Sequence, residues 1–131
     1  MKNEVAEAGL WAIMDIARVY GRLPQTVSEC EEVTQAYAVR ALPVGTGAGK
    51  LVVDMHEIPV ILYDATRCLT QQKCAIIHEL VEWLLIEKYP ALVDADVPCI
   101  YHQSGGECPS DMRHLAAAHA EWIYAEWLKR Q

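Results

Sequence analysis

The sequence is short of positive charge: 11 Lys and Arg stand against 18 Asp and Glu, a formal net charge of −7, and the basic residues do not cluster. Binding a phosphate backbone or an anionic bilayer requires many Lys and Arg contacts, so neither nucleic acid nor a membrane surface is the expected partner. Nor is there an apolar run near the roughly 20 residues that span a bilayer. The opening Met1-Lys2-Asn3-Glu4 lacks the basic-then-apolar order of a secretory signal. A paired cysteine framework is missing as well. Cys30, Cys68, Cys74, Cys99 and Cys108 are odd in number and scattered, which predicts free thiols in a reducing compartment, by default the cytoplasm.

What is present is the makeup of an ordinary globular domain. The 131 residues are 53% apolar and 22% charged, enough for one domain over 1–131 and too few for a second. In residues 4–20, Val5, Ala8, Gly9, Ala12, Ile13, Ile16 and Tyr20 recur at helical spacing, with Gly21 and Pro24 as stops. Residues 26–34 are acidic and fit either a short helix or a loop. Runs 35–42, 50–54 and 58–63 are rich in Val, Ile, Leu and Tyr. Turn residues separate them, so the economical expectation is an antiparallel meander. Pro59 should lie at a strand start or an edge. A second helix is expected over 70–88, a loop over 89–109, and a last helix over 110–128 capped by Ser110 with Asp111 in its first turn. The expected fold class is therefore α+β: an N-terminal helix, a three-stranded antiparallel sheet, then two packed helices.

The chemistry concentrates in those two helices. His78 and Glu82 are four apart and share a helix face, while Glu79 projects about 100° away from His78. In the H-E-x-x-H arrangement, residues i and i+4 grip a metal, and the intervening Glu is general base for a metal-activated water. Here a carboxylate takes the second position, and carboxylate oxygen is also a good zinc ligand. The alternative is a solvated acidic face with an incidental His. Against it stand Ile76, Ile77, Leu80, Val81, Leu84 and Leu85, because ionisable groups in so apolar a helix need partners.

The last helix offers such partners. His114 and Glu121 are two turns apart on a stripe carrying Ala117, Ala118, Ala125 and Leu128, and small residues let helices approach closely. The expected ligands are His78, Glu82 and His114, with Glu121 either a fourth ligand or a carboxylate that orients an imidazole. His119 is the alternative third ligand, and a structural His114–Glu121 pair is the non-metal reading. Zinc leads, though iron or manganese accepts the same donors.

Other features are weaker. In Gly45-Thr46-Gly47-Ala48-Gly49-Lys50, Val44 replaces the first glycine of a phosphate loop and Leu51 follows the lysine, so a hairpin loop is expected. Cys99, His102 and Cys108 supply only three ligands for a second metal site, and ordinary loop residues are the preferred reading. His56-Glu57 reads as a turn. The tryptophans and tyrosines read as core and groove material.

The run Ile58-Pro59-Val60-Ile61-Leu62-Tyr63, followed by Gln72 to Leu80 with His78-Glu79-Leu80, resembles the ImmA/IrrE-type metallopeptidases. That resemblance covers most of the chain and implies a minimal zincin-like core: strand, spacer, metal-binding helix and a further helix with a third ligand. Glu82 stands where that family usually has its second His. The chain is also similar to small phage-type relatives with H-E-x-x-E and a downstream His followed seven residues later by Glu, a pattern matched by His78, Glu79, Glu82, His114 and Glu121. It implies zinc-dependent hydrolysis of a peptide bond with Glu79 as general base, acting on a peptide or protein substrate. An oxyanion stabiliser from Tyr101 or His102 is one option. The competing expectation is a metal-stabilised interaction module whose shell is closed by His78, Glu82, His114 and Glu121. A buried hydrogen-bond network without metal is a third.

Overall fold

The computed structural model describes residues 3–45, 50–53, 55–92 and 112–131. Its elements run α1 (Asn3–Tyr20), α2 (Val27–Ala36), β1 (Arg40–Val44), β2 (Lys50–Val53), β3 (Pro59–Asp64), α3 (Leu69–Lys88) and α4 (Met112–Lys129). Mixed α+β architecture is as expected.

The helices form where their ends and apolar faces dictate. Along α1, Val5, Ala8, Gly9, Ala12, Ile13 and Ile16 are buried, and Gly21 ends the helix at φ +96, a left-handed conformation that costs glycine little. The acidic stretch is a helix, α2. Thr26 is its N-cap and accepts a hydrogen bond from the Glu29 amide at 3.1 Å, while the Glu29 carboxylate reaches back to the Gln25 amide at 3.0 Å. This reciprocal arrangement is close to a capping box and satisfies amides that the first turn leaves open.

The expected strand over 35–42 starts too early. α2 continues to Ala36, a turn follows with Ala38 at φ 59, and the strand begins at Arg40. The antiparallel meander is also corrected. The strand order is β1-β3-β2, with β1 parallel to β3 and β2 antiparallel to it. β1 and β2 therefore flank β3 and do not form the hairpin pair expected across 45–50. The true hairpin is β2–β3, turning through Met55, His56 and Glu57 with Glu57 at φ 62. Pro59 opens β3 opposite Val53, and Pro43 lies within the flanking strand β1 opposite Tyr63. Both positions suit a residue without an N–H.

β3 is the buried strand: Ile61 and Tyr63 join the core cluster with the helices, and Val60 is buried as well. α3 is fixed to its end by Gln72, whose amide donates to the carbonyls of Arg67 (2.8 Å) and Ala65 (3.3 Å). The buried side chains form one cluster in which Ile76, Ile77, Leu80, Val81 and Leu85 of α3 meet Ala116, Ala117, Ala120 and Tyr124 of α4. α4 packs on both α1 and α3. Its inner end is tied to the start of α2, where the Tyr124 hydroxyl donates to the Pro24 carbonyl at 2.7 Å and lies 3.4 Å from Cys30 Sγ. Among the described residues, no helix is long and apolar enough to cross a membrane. The expected Ser110 cap, the Cys99, His102 and Cys108 group, and Tyr101 lie outside the described residues.

Candidate metal centre

His78 and Glu82 lie one turn apart on α3, and His114 enters from the first turn of α4. Three of their atoms converge. His78 Nε2 is 3.3 Å from His114 Nδ1 and 3.3 Å from Glu82 Oε1, and His114 Nδ1 is 3.0 Å from that same oxygen. Among the described residues these three side chains form a group able to hold a metal ion. The geometry fits one: tetrahedral zinc with bonds near 2.0–2.1 Å separates its ligand atoms by about 3.3 Å. Two nitrogens and one oxygen also form a donor set that zinc accepts, though the set does not discriminate zinc from iron or manganese.

Glu121 engages the opposite side of His78. Its Oε1 is 2.9 Å from Nδ1, which makes Nδ1–H the donor and turns Nε2 toward the three-atom cluster. Of the two roles expected for Glu121, its position corresponds to the carboxylate that orients an imidazole. His119 is placed elsewhere: its ring stacks on Trp122 and its Cδ2 faces Gly9 of α1. α4 thus delivers His114 to α3 and His119 to α1.

The site is buried at one side and open at the other. The side chains of His78 and Glu82 are 11% and 19% exposed, whereas His114 is 57% exposed. Charges compensate each other inside it. Burial alone would lower the His78 pKa, but the carboxylates of Glu121 and Glu82 override it and raise it to about 10. Burial likewise opposes ionisation of Glu82, yet His78 and His114 hold its pKa below the ordinary value.

Glu79 behaves differently. It is buried, and burial followed by repulsion from Glu82 raises its pKa to about 7. Glu82 lies three residues on, at a spacing that brings the two carboxyl groups together on the helix. A carboxyl group poised near neutrality beside a cluster of metal-ligating atoms can take and return protons. Cys74, one turn before His78, is also buried. Desolvation and then the Glu121 carboxylate push its thiol up to about 11, so it stays neutral there.

A separate groove of about 480 Å³ runs between Trp11, Tyr37, Trp83, Leu84, Glu87 and Lys88 and contains none of the cluster residues. Comparison with protein-family models, curated proteins and solved structures gives no match for this chain.

Proposed function

We propose that the protein is a zinc-dependent metallopeptidase of the minimal zincin type, hydrolysing a peptide bond with Glu79 as general base. The observation that carries this reading is the triangle of His78 Nε2, Glu82 Oε1 and His114 Nδ1, with edges of 3.0–3.3 Å, beside a buried carboxyl group whose pKa is raised to about 7.

Each residue has a defined task. His78, Glu82 and His114 would hold the ion, and Glu121 keeps His78 in the tautomer whose Nε2 is the donor. A zinc ion held there supplies Lewis acidity toward the attacking water and the scissile carbonyl. Glu79 accepts the proton of that water and returns it to the departing amine nitrogen. Burial of Glu79 disfavours its charged form, so it takes up a proton more readily than an exposed carboxylate does. The outer edge of the sheet offers backbone groups to which an extended peptide can add as a strand.

The opposing reading, a closed metal module without catalysis, needs a fourth protein ligand. Glu121 is the candidate, and its carboxylate is already committed to the far nitrogen of His78. Three protein ligands with an exposed His114 leave a coordination position for substrate, as catalytic zinc sites do.

The test is metal content and peptidase activity of the parent, His78→Ala and Glu79→Gln proteins. We expect about one zinc per chain in the parent and in Glu79→Gln, little in His78→Ala, and hydrolysis in the parent alone. A parent that takes up no metal from a zinc-supplemented medium overturns the reading. So does hydrolysis that survives in Glu79→Gln.

A further inference from the structure

We propose that Gly9, on α1 and remote from the ligands in sequence, is the positioning residue that sets the size of the metal site; this rests on the metal reading above. Gly9 is buried where α1 meets α4. A Cβ at this position would lie 2.6 Å from the carbonyl oxygen of Ala116, 3.2 Å from the amide nitrogen of Ala120 and 3.3 Å from Cδ2 of His119. The two shortest contacts are to backbone. No rotamer change relieves them, so only movement of one helix against the other can.

The contacted backbone lies between the two site residues that α4 supplies. Ala116 and Ala120 are flanked by His114 on one side and Glu121 on the other, within one continuous helix. Moving that stretch therefore moves both. α4 is packed against α3 as well as α1, with Ala116, Ala117 and Ala120 fully buried. A close-packed interior does not let α4 sink deeper, so the part of the displacement that α4 takes up is outward. Relieving a 2.6 Å contact to ordinary van der Waals distance takes a displacement of about 0.8 Å or more. Metal–ligand distances tolerate only about 0.2 Å. The methyl-sized gap at Gly9 thus decides whether His114 reaches the same point as His78 and Glu82, although Gly9 touches none of the three ligands' donor atoms.

An outward shift lengthens the edges of the donor triangle, which penalises zinc more than a larger ion of the same charge. The experiment is chelator-competition titration of the full chain and its Gly9→Ala variant with Zn²⁺ and with Cd²⁺, alongside helix content and thermal unfolding of the metal-free proteins. Met14→Ala, on the exposed side of α1, is the control. We expect zinc affinity to fall about tenfold or more in Gly9→Ala, the range seen when support of a ligand is lost. Cadmium affinity should fall less, so the Zn:Cd ratio drops, and Met14→Ala should match the parent. A ratio equal to that of the parent overturns the proposal, whatever happens to stability.

Should Gly9→Ala not fold, the parent supplies the answer through reciprocity: a contact that favours metal binding is itself favoured by metal. Zinc should then slow amide hydrogen exchange in residues 5–13 of α1, which hold no ligand. Unchanged exchange there, with slowed exchange in α3 and α4, overturns the assignment of Gly9 and leaves the metal site intact. A parent that binds no zinc overturns both.

Discussion

Nδ1 of His78 and Oε1 of Glu121 are 2.9 Å apart, and this one contact couples the orientation of the His78 ring on α3 to a carboxylate two turns beyond His114 on α4. Removing the carboxylate with Glu121→Ala frees the His78 ring to rotate and to exchange tautomers. We expect zinc affinity to fall about 10–100-fold with the three ligands untouched. Glu121→Gln, which retains an oxygen acceptor, should fall less. Equal affinity in parent and Glu121→Ala, measured by chelator competition, would show that the contact does not orient the ring.

Zinc and protons compete for the same nitrogen. With its pKa raised to about 10, His78 is an imidazolium at neutral pH in the metal-free protein, bonded to Glu121 and Glu82. Zinc uptake must displace the Nε2 proton, so affinity should rise steadily with pH between about 6.5 and 10. The metal-free fold changes the other way. Because the folded pKa lies above the unfolded value of 6.5, the stabilisation from this ion pair is full below pH 6.5 and is lost as pH rises through 10. The gain in unfolding temperature on adding zinc should therefore widen from pH 6.5 to 9. Calorimetry in buffers of different ionisation enthalpy should read about one proton released per zinc near pH 7.5.

Glu79 carries a cost that its substitution should remove. Its folded pKa of about 7 lies above the ordinary 4.5, so folding is penalised once the group must ionise. The penalty is absent below pH 4.5 and complete above about pH 7. Metal-free Glu79→Gln should be more stable than the parent at pH 8, with the difference closing at pH 4.5. Urea unfolding at the two pH values checks this, and an equal difference at both would remove burial of the charge as its cause.

Tyr124 locks α4 to the entry of α2. Tyr124→Phe keeps the ring in the core but leaves the buried Pro24 carbonyl without its donor, at a cost of about 1 kcal/mol. Since the bond lies beyond Glu121 from His114, zinc affinity should be nearly unchanged. A large loss of affinity, read by the same competition titration, would mean that this anchor also sets the ligand geometry.

The helices and the His78–Glu82 pair were legible in the sequence because both depend on local spacing. His78 and Glu82 share a face whatever surrounds them, and α1 announces itself through its buried stripe. Residues 26–34 fit either helix or loop by sequence, and the structure settles them as helix, with Thr26 and Glu29 capping its first turn. The strand pairing was not legible. Apolar runs such as 50–53 and 59–64 show that strands exist, but β1 chooses β3 over β2 through long-range packing that no local pattern records. The sequence favoured His114 over His119 from its small-residue face, and the structure groups His114 with His78 and Glu82. Both sit on α4, and only the way that helix packs between α1 and α3 sends one to the cluster and the other to Gly9.

The corrected strand order makes the two sides of the sheet unequal. With β3 enclosed, β1 and β2 are the margins among the described residues, and they run in opposite directions. β1 carries Pro43, which has no hydrogen to donate and interrupts any new ladder along that margin. β2, Lys-Leu-Val-Val, has no such interruption. A strand added antiparallel to β2 would run in the same direction as β3. A single proline thus makes the two margins of the sheet unlike as partners for a further ladder.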